Sequence, residues 1–589
     1  MSYRTCSCGA LRAAHVNFQT TLCGWINSRR DHGGVIFVDL RDYDGITQIV
    51  FHPETSPVLA ELAHSLRSED VIQVTGKVAR RLLGTENPKL ATGEIEVVAA
   101  SLNILNRAEV LPFPLDSEVS NEDLRLSHRY LDLRRPSMIR NLRIRHRLQQ
   151  ATRAYMDEQG FLEVETPILS KSTPEGAREF LVPSRTYPGH FYALAQSPQQ
   201  YKQLLMAGAI EKYFQIARCF RDEDPRADRL IELTQVDIEA SFFKPDDIFI
   251  LIEGLIRRIF RETLGIHVPP QFPRLTYREA MERFGSDKPD TRFGVELIEV
   301  GDIFQSTDFK VFRTALDHGG CIKAINAKGF AHITTGQIEE LTQLARQYKA
   351  KGLAFIKVEN GEWKSPIVKF FTPTEKEALA TRLNMEEGDL ILFGADKWAV
   401  VCEVLGRIRL RTAELLNLVT DATRLDFLWV VDFPLLSFLE DEGKWGAVHH
   451  PFTRPKAEDL PLLSEGKFDQ VRAEAYDLVL NGVEIGGGSI RIHEQELQAQ
   501  IFAILGINPE KQKLLFGHLL DAFRFGTPPH GGIALGVDRL MMLLCGTANI
   551  RDVIAFPKSS RGQDLLFLSP SKVEPRQLRE LSIQITPKP

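Results

Sequence analysis

The chain has 589 residues, more than one hydrophobic core usually serves, so several domains are expected. Its 43% hydrophobic and 25% charged content is ordinary for a globular protein, and a formal net charge of −6 argues against nonspecific coating of nucleic acid while leaving room for local basic patches. No apolar run reaches the ~18 residues of a membrane helix, residues 1–9 carry no apolar signal core, and seven scattered cysteines read as reduced thiols, which predicts a cytoplasmic protein with no membrane partner.

Residues 1–108 read as β-β-β-α-β-β. Strands are predicted at 22–26, 35–40, 46–51, 71–78 and 95–98, with a short amphipathic helix at 58–66 and a turn at Asp44-Gly45. That order suits an OB barrel, a fold that binds oligonucleotides on strands 2–3 and with the loops joining strands 1–2 and 4–5. The first loop is expected to hold Arg29, Arg30, His32 and Gly33, the second Arg80, Arg81 and Gly84; Phe37 and Gln48 lie on the candidate face. An aromatic beside basic loops fits stacking and phosphate contact with single-stranded bases, although Phe37 by itself reads as core.

Residues 109–140 form a proline-containing linker. A long helix over 138–158 carries Arg140, Arg143, Arg145 and Arg147, stops at Gly160, and is followed by a strand over 161–167 that ends at Pro167. Residues 173–178 (TPEGAR) read as a charged lid that carries Glu175. A helix over 198–206 leads to strands at 212–219 and 233–239, which flank Phe220-Arg221-Asp222-Glu223. This hairpin puts one arginine and alternating carboxylates at the end of a buried sheet. Arginine grips phosphate or carboxylate bidentately, and carboxylates accept from ammonium or amino groups. The alternative is a surface hairpin laced with ion pairs.

Residues 286–420 change character and read as an inserted α+β domain without a polar constellation, with helices at 374–383 and 412–420. Apolar strands resume at 427–434. The doublet His449-His450 is read as non-metal, since neighbouring side chains diverge. One strand over 476–484, continued by the glycines at 486–488, carries Asp477 and Glu484, two carboxylates suited to Mg²⁺ beside phosphate. The glycines follow no β-to-helix turn, so close approach to a ligand fits them better than a phosphate loop. A glycine-rich strand over 531–536 feeds a helix with Arg539 in its first turn.

Three motifs in order make the chain resemble the bacterial aspartate–tRNA ligases, a class II aminoacyl-tRNA synthetase family, over essentially its whole length. GFLEVETP at 160–167 matches the dimer motif, Phe220-Arg221-Asp222-Glu223 opens the second, and Gly536-Val537-Asp538-Arg539 sits in the third; TPEGAR, QSPQ-x-x-K and HHPFT point to the aspartate rather than the lysine branch. The resemblance implies an α+β multidomain fold. It divides into an OB anticodon-binding domain (1–108), a hinge (109–140), a catalytic domain in two parts (141–285 and 421–557) around an insertion (286–420), and a C-terminal extension (558–589). One departure is visible: where the family has glutamine and phenylalanine after the arginine loop, this chain has Leu230 and Leu233.

The resemblance further implies a homodimer that activates L-aspartate with ATP and Mg²⁺ and charges tRNA. Arg221, Glu223 and Arg539 would be catalytic, and Arg221, Asp222, Glu223, Glu484, Gly536, Val537, Asp538 and Arg539 would bind ATP. Asp477 and Glu484 would hold the metal. Lys202 and Arg491 would clamp the side-chain carboxylate of aspartate, leaving two unpaired buried cations if asparagine entered. Glu175, Gln199, Gln235 and Asp237 would receive its ammonium, Arg221 its α-carboxylate, and His449 would close over it or serve as a structural hydrogen-bond partner. Arg30, Phe37 and Gln48 would meet the anticodon. His32, where strict members carry leucine, and Gly84 imply relaxed choice between tRNA(Asp) and tRNA(Asn), with a separate amidotransferase to finish the second product. The alternatives are a strict tRNA(Asp) enzyme, a synthetase-like nucleic-acid binder that charges nothing, and an ATP-dependent asparagine-forming ligase.

Overall fold

The computed structural model describes residues 2–117, 121–172, 178–224, 226–227, 229–421 and 423–586, which cluster into two compact units divided between Arg140 and Asn141. The first unit is built on a closed barrel of β1 (Gln19–His32), β2 (Val35–Arg41), β3 (Ile46–Phe51), β4 (Val71–Arg80) and β5 (Ile95–Asn106), ordered β1-β2-β3-β5-β4, with α1 (Pro57–His64) between β3 and β4. Alternation makes it: Leu22, Ile26, Ile36, Val38, Ile72 and Val74 face inward, and their neighbours face solvent. The loop expected between strands 1 and 2 is much shorter than predicted. Arg29, Arg30 and His32 lie in β1, paired with Val38, Phe37 and Val35, and the turn is only Gly33-Gly34 at φ of 63° and 87°.

In the second unit, α2 (Pro136–Glu158, entered from the first) is followed by β6 (Leu162–Glu163), α3 (Gln199–Ala207), β7 (Lys212–Phe220), β8 (Glu232–Ser241) and α4 (Pro245–Leu264). Then come β9 (Arg274–Thr276) and α5 (Tyr277–Phe284). The strand predicted over 161–167 pairs at only two residues, at the sheet edge beside β7. The inserted region contributes its own five-stranded sheet, β10 (Ile298–Glu299), β11 (Cys321–Ala327), β12 (Ala354–Glu359), β13 (Glu362–Lys364) and β14 (Leu390–Asp396), in the order β10-β11-β14-β12-β13. Four helices accompany it: α6 (Lys310–Asp317), α7 (Thr335–Gln347), α8 (Pro373–Leu383) and α9 (Trp398–Leu415). The helix expected at 412–420 is the end of α9, which stops at Leu415 before Asn417 turns to φ 50°.

The chain then returns with β15 (Phe427–Val431), β16 (Ala475–Leu480), β17 (Val483–Ile490), β18 (His530–Gly536) and α10 (Val537–Cys545). These complete an eight-stranded sheet, β9-β15-β16-β17-β18-β8-β7-β6, antiparallel except at its two edge pairings. Its lower face is the main core: Val236, Ile238, Trp429, Tyr476 and Ile533 pack against Ile248, Ile252 and Leu255 of α4. The single strand predicted over 476–484 is instead a hairpin. Asn481 and Gly482 both have positive φ, 52° and 80°, as a two-residue turn demands, and Asn-Gly is the strongest short signal for one.

Candidate active site

The upper face of that sheet is the floor of a cavity of about 530 Å³. Register explains its shape. Asp477, Gly487, Ala534 and Asp237 are consecutive cross-strand neighbours on β16, β17, β18 and β8. Opposed residues share a face, so two acids stand about 14 Å apart, three strand spacings, over a floor of glycine and alanine. A Cβ on Gly487 would sit 2.6 Å from Asp477 Oδ1, and one on Gly532 would collide with Glu239 Oε2. The glycines therefore leave room for buried carboxylates to lie across neighbouring strands.

Asp477 and Glu484 are seven residues apart, an odd number that one strand would split between its faces. The hairpin and a bulge reunite them. Leu478 opposes Gly486 but Val479 opposes Glu484, so Ile485 is the extra residue that re-aims Glu484 to the face of Asp477. Burial, then the charges of Glu484 and Asp287, push the Asp477 carboxyl well above the ordinary range. Such a site accepts a cation, and Asp477 with Glu484 supplies the one or two carboxylates that Mg²⁺ takes beside water and phosphate. Among the described residues no group of three His, Cys, Asp or Glu is arranged to hold a metal on its own.

At the other end, period-two alternation in β8 turns Gln235, Asp237 and Glu239 to the cavity face. Lys202 Nζ, on α3, donates to Asp237 Oδ1 at 2.7 Å and lies 3.2 Å from Glu239 Oε2. Arg491 donates Nε and Nη2 to the two oxygens of Glu239 at 3.0 and 3.1 Å, and Nη1 to His450 Nε2 at 2.7 Å and to Ser489 Oγ at 2.6 Å. All four charged side chains are at most 2% exposed. Burial raises the Glu239 carboxyl, but Arg491 and Lys202 outweigh it and hold it down to about 2. Asp237, buried with the single neighbour Lys202 bonded to it, is raised, and its Oδ2 takes no hydrogen bond among the described residues. The two cations are therefore already paired, which corrects the expectation that asparagine would strand them. Lys202 has three N–H groups and Arg491 five. One N–H of Lys202 donates to Asp237 and a second at most faces Glu239, while four of Arg491 are engaged, so at least one N–H of each remains.

A narrower slot adjoins the cavity, lined by Arg229, Leu230, Leu233, Ile485, Gly536, Arg539 and Ile550. Arg221, Glu223, Gln235, Glu484 and Ala534 line both spaces. The Arg221 side chain has no hydrogen-bond or ion-pair partner among the described residues, while its backbone N–H donates to Ile231 O at 2.9 Å, so its guanidinium is unspent at the junction. Glu223 pairs with Arg229 at 2.8 Å, and Arg539, in the first turn of α10, donates to Glu484 O at 3.3 Å. Leu230 and Leu233 give this otherwise charged slot an aliphatic wall.

The remaining expected positions divide between the two spaces and their surroundings. Asp538 lines the slot, but both its oxygens are engaged, one by Arg145 at 2.6 Å and the other by the Thr234 N–H at 2.8 Å, so its carboxylate fastens α10 to α2 and β8. Val537 is 1% exposed with its side chain in the core, which leaves its backbone as the part that could face a nucleotide. Asp222 lines neither space; its backbone N–H donates to Arg178 O at 2.9 Å. Glu175 lies outside the described residues. Gln199 lines the cavity, as does His449, whose ring meets Phe433 edge-on at 4.6 Å and whose buried Nε2 has no partner among the described residues. Burial lowers the pKa of His449. The structural bond considered for it belongs to His450, on Arg491.

Glu239, His450, Ser489 and Asp287 were missing from the expected set. Glu239 was legible as the next member of the Gln235, Asp237 alternation; Asp287 carried no local signal.

On the barrel, Phe37 is half-buried on the outer face, not in the core, with the exposed His32 ring edge-on to it at 5.9 Å. Arg30 reaches Asp39 and Gln48 at 3.2 Å, and Gln48 donates to Glu96 at 2.9 Å. Arg81, expected in a binding loop, is buried and donates Nε to Ile95 O at 3.0 Å, tying β4 to β5. Gly84 has φ +86° with open space around it.

Comparison with known proteins places these features. The family described as tRNA synthetases class II (D, K and N) matches residues 121–560, and an OB-fold nucleic acid binding domain matches residues 20–105. The chain is 56% identical to a protein of Methylacidiphilum infernorum named aspartate–tRNA(Asp/Asn) ligase, over 99% of this chain and 97% of that one. It is 53% identical to a protein of Opitutus terrae with the same name, over 99% of each. In fold it is similar to asparaginyl-tRNA synthetase from Pyrococcus horikoshii complexed with asparaginyl-adenylate, with a TM-score of 0.59 at 19% identity over 94% of this chain and 98% of that one. It is also similar to aspartyl tRNA synthetase from Entamoeba histolytica, with a TM-score of 0.56 at 19% identity over 92% and 89%.

Proposed function

The chain belongs to the class II tRNA synthetases of the D, K and N group, and on that premise we propose that it activates L-aspartate with ATP and transfers it to tRNA(Asp) and tRNA(Asn). The observation that carries the amino acid is the buried quartet with two unspent N–H groups, one on Lys202 and one on Arg491. Two donors match the two oxygens of a side-chain carboxylate. Asparagine would aim its NH₂ at one of them and leave a buried donor unpaired, at a cost of about 1–3 kcal/mol. The ammonium goes to Asp237 Oδ2 and Gln199.

Arg221, free at the junction of the two spaces, grips the α-carboxylate and the α-phosphate and holds them in line. The carboxylate oxygen attacks the α-phosphorus and pyrophosphate leaves, giving aspartyl-adenylate; a terminal ribose hydroxyl of tRNA then attacks the activated carbonyl and releases AMP. Arg539 holds the departing phosphates, and its pairing with Glu484 keeps it aimed at the slot. Asp477 and Glu484 fit Mg²⁺, which when bound neutralises phosphate charge. No side chain forms a covalent bond.

On the barrel, Phe37, Arg30 and Gln48 supply stacking and polar contacts for the anticodon. The tRNA(Asp) and tRNA(Asn) anticodons differ at their third base, C against U. His32 donates or accepts through its ring, so it satisfies either. Gly84 is accounted for by its left-handed φ without reference to a base, so His32 carries the relaxed reading. The aspartyl-tRNA(Asn) product requires a separate amidotransferase. Exposed Leu162, Ile168 and Leu169 around the edge strand β6 support a two-fold seam near Pro167 and hence a homodimer. The site of action is the cytoplasm; among the described residues no helix is long and apolar enough to cross a membrane.

The test is ATP–pyrophosphate exchange with aspartate and with asparagine, followed by charging of purified transcripts. Exchange that depends on aspartate supports the reading, and none overturns it. Charging of tRNA(Asn) more than about a thousandfold below tRNA(Asp), beyond what one mismatched base costs, makes the enzyme strict. A monomer in light scattering at micromolar concentration removes the dimer.

A further inference from the structure

Gln203 and His530 are wholly buried behind the aspartate cavity and line neither of its spaces. They nevertheless form a row whose hydrogen-bond polarity has one solution. His530 Nδ1 lies 2.8 Å from Pro528 O, and a carbonyl only accepts, so Nδ1 carries the proton. Burial lowers its pKa, against the pull of Glu239 on β8 and of the Pro528 carbonyl and with Arg491 and His493 adding to the lowering, so the ring is neutral at neutral pH. A neutral imidazole with its proton on Nδ1 offers only a lone pair at Nε2. The Gln203 amide 3.2 Å from Nε2 must therefore present its NH₂. That turns Gln203 Oε1 toward Gln199, one helical turn earlier on α3, whose Nε2 donates to it at 3.1 Å. The nitrogen of Gln199 is thus held inward. Its Oε1, which takes no hydrogen bond among the described residues, is left for the cavity that Gln199 lines.

We propose that Gln203 and His530 are positioning residues for amino-acid binding: they fix the amide of Gln199 so that a carbonyl oxygen, not an NH₂, meets the substrate ammonium beside Asp237 Oδ2. An unrestrained glutamine presents either end at little cost. The reversed amide would aim donors at a cation that needs acceptors. Neither residue touches substrate, and the row ends on a main-chain carbonyl that cannot change its polarity, so the orientation is set before aspartate arrives. This rests on the reading that L-aspartate occupies the cavity.

The experiment measures steady-state exchange for the full-length protein and for Gln203→Met, Gln199→Met and the double variant. Gln203→Met should raise the KM for aspartate about tenfold or more, the worth of a hydrogen bond to a charged group, while the KM for ATP stays within about twofold. In the Gln199→Met background, Gln203→Met should add nothing, because it acts only through the lost acceptor. A second pair keeps the test independent of that substitution. His530→Gln retains an oxygen able to accept near the Nε2 position, whereas His530→Asn is too short to reach it, so aspartate KM should rise in the asparagine variant and stay near wild type in the glutamine one. Additive effects in the double variant, equal rises in both KM values, or equal behaviour of the two His530 variants overturn the proposal. If the unaltered protein shows no aspartate-dependent exchange, it is the functional reading that fails; if it does and the variants behave in any of those three ways, only the positioning role fails.

Discussion

The two ends of the catalytic cavity are built on opposite principles. The Lys202–Asp237–Glu239–Arg491 end is sealed: every charge has an opposite within 3.2 Å, and neutral His450 and Ser489 use the remaining donors of one guanidinium nitrogen. The Arg221 and Arg539 end is open, with a free guanidinium at the junction and an arginine a quarter exposed at the slot. On the proposed function, the difference follows from what each end has to distinguish. Telling a carboxylate from an amide of the same shape requires donors whose number and direction are fixed before binding, and water excluded so that a mismatch costs its full desolvation penalty. Gripping a triphosphate needs charge more than discrimination, and long arginines supply it from strand ends and a helix start.

Substituting one arginine at each end tests this division, and the sealed end should respond most. Arg491→Leu leaves Glu239 buried without its bidentate partner. It should cost about 3–5 kcal/mol of stability in urea unfolding and lower aspartate-dependent exchange by about a thousandfold or more. The Glu239 pKa is depressed to about 2, so its contribution is full above the ordinary glutamate value of about 4.5 and is lost as pH falls toward 2. The stability deficit of the variant should accordingly be complete at neutral pH and shrink below about pH 4.5. A variant as stable as the parent at pH 7 would mean that the quartet does not organise this end.

Arg221→Gln is the contrasting case. The side chain has no partner to abandon, so stability should stay within about 0.5 kcal/mol, while exchange falls by about 10²–10³ through loss of a transition-state contact. Destabilisation comparable to that of Arg491→Leu would erase the distinction between the ends. Leu233→Phe probes the slot alone. An aromatic face there should lower the KM for ATP several-fold, about 1 kcal/mol, and leave the KM for aspartate unchanged; a rise in ATP KM would show that the aliphatic wall is needed for fit.

What was legible in the sequence follows the same division. The open end could be read from motifs because its residues sit in recognisable local contexts: Arg221 after a strand, Arg539 at a helix start. The barrel and the β7–β8 hairpin were legible through alternation, a strictly local signal. The sealed end depends on who meets whom across the sheet. Glu239 continues the alternation of Gln235 and Asp237, yet its role appears only when Arg491, 252 residues later, is placed against it. Asp538 looks like a motif carboxylate until Arg145, 393 residues earlier, is found holding it. Asp477 and Glu484 share a face although the strand first drawn through them would have separated them, because a turn signal at Asn481-Gly482 was passed over and a one-residue bulge has no sequence signature.

The remaining effect is expected on the barrel, which resembles the open end more than the sealed one. Arg30 is half exposed even while paired with Asp39, and His32 and Gly33 project where β1 ends. A surface of this kind can favour one base over another by only about 1–3 kcal/mol. His32 is exposed and touches Phe37 through an edge-on ring contact, so its replacement alters the surface without removing a core residue. His32→Leu withdraws a group able to donate or accept and substitutes one that does neither. Whichever of C and U relies on the imidazole loses it, and an enzyme that charges both tRNAs should shift toward tRNA(Asp) by about tenfold in the ratio of kcat/KM values, with exchange in the absence of tRNA unaltered. The measurement is aminoacylation of both transcripts by parent and variant at one salt concentration, since the phosphate contribution to each affinity varies steeply with ionic strength. An unchanged ratio removes His32 from the selection and leaves the relaxed reading without a residue to carry it; an equal loss for both transcripts assigns His32 to general anticodon affinity.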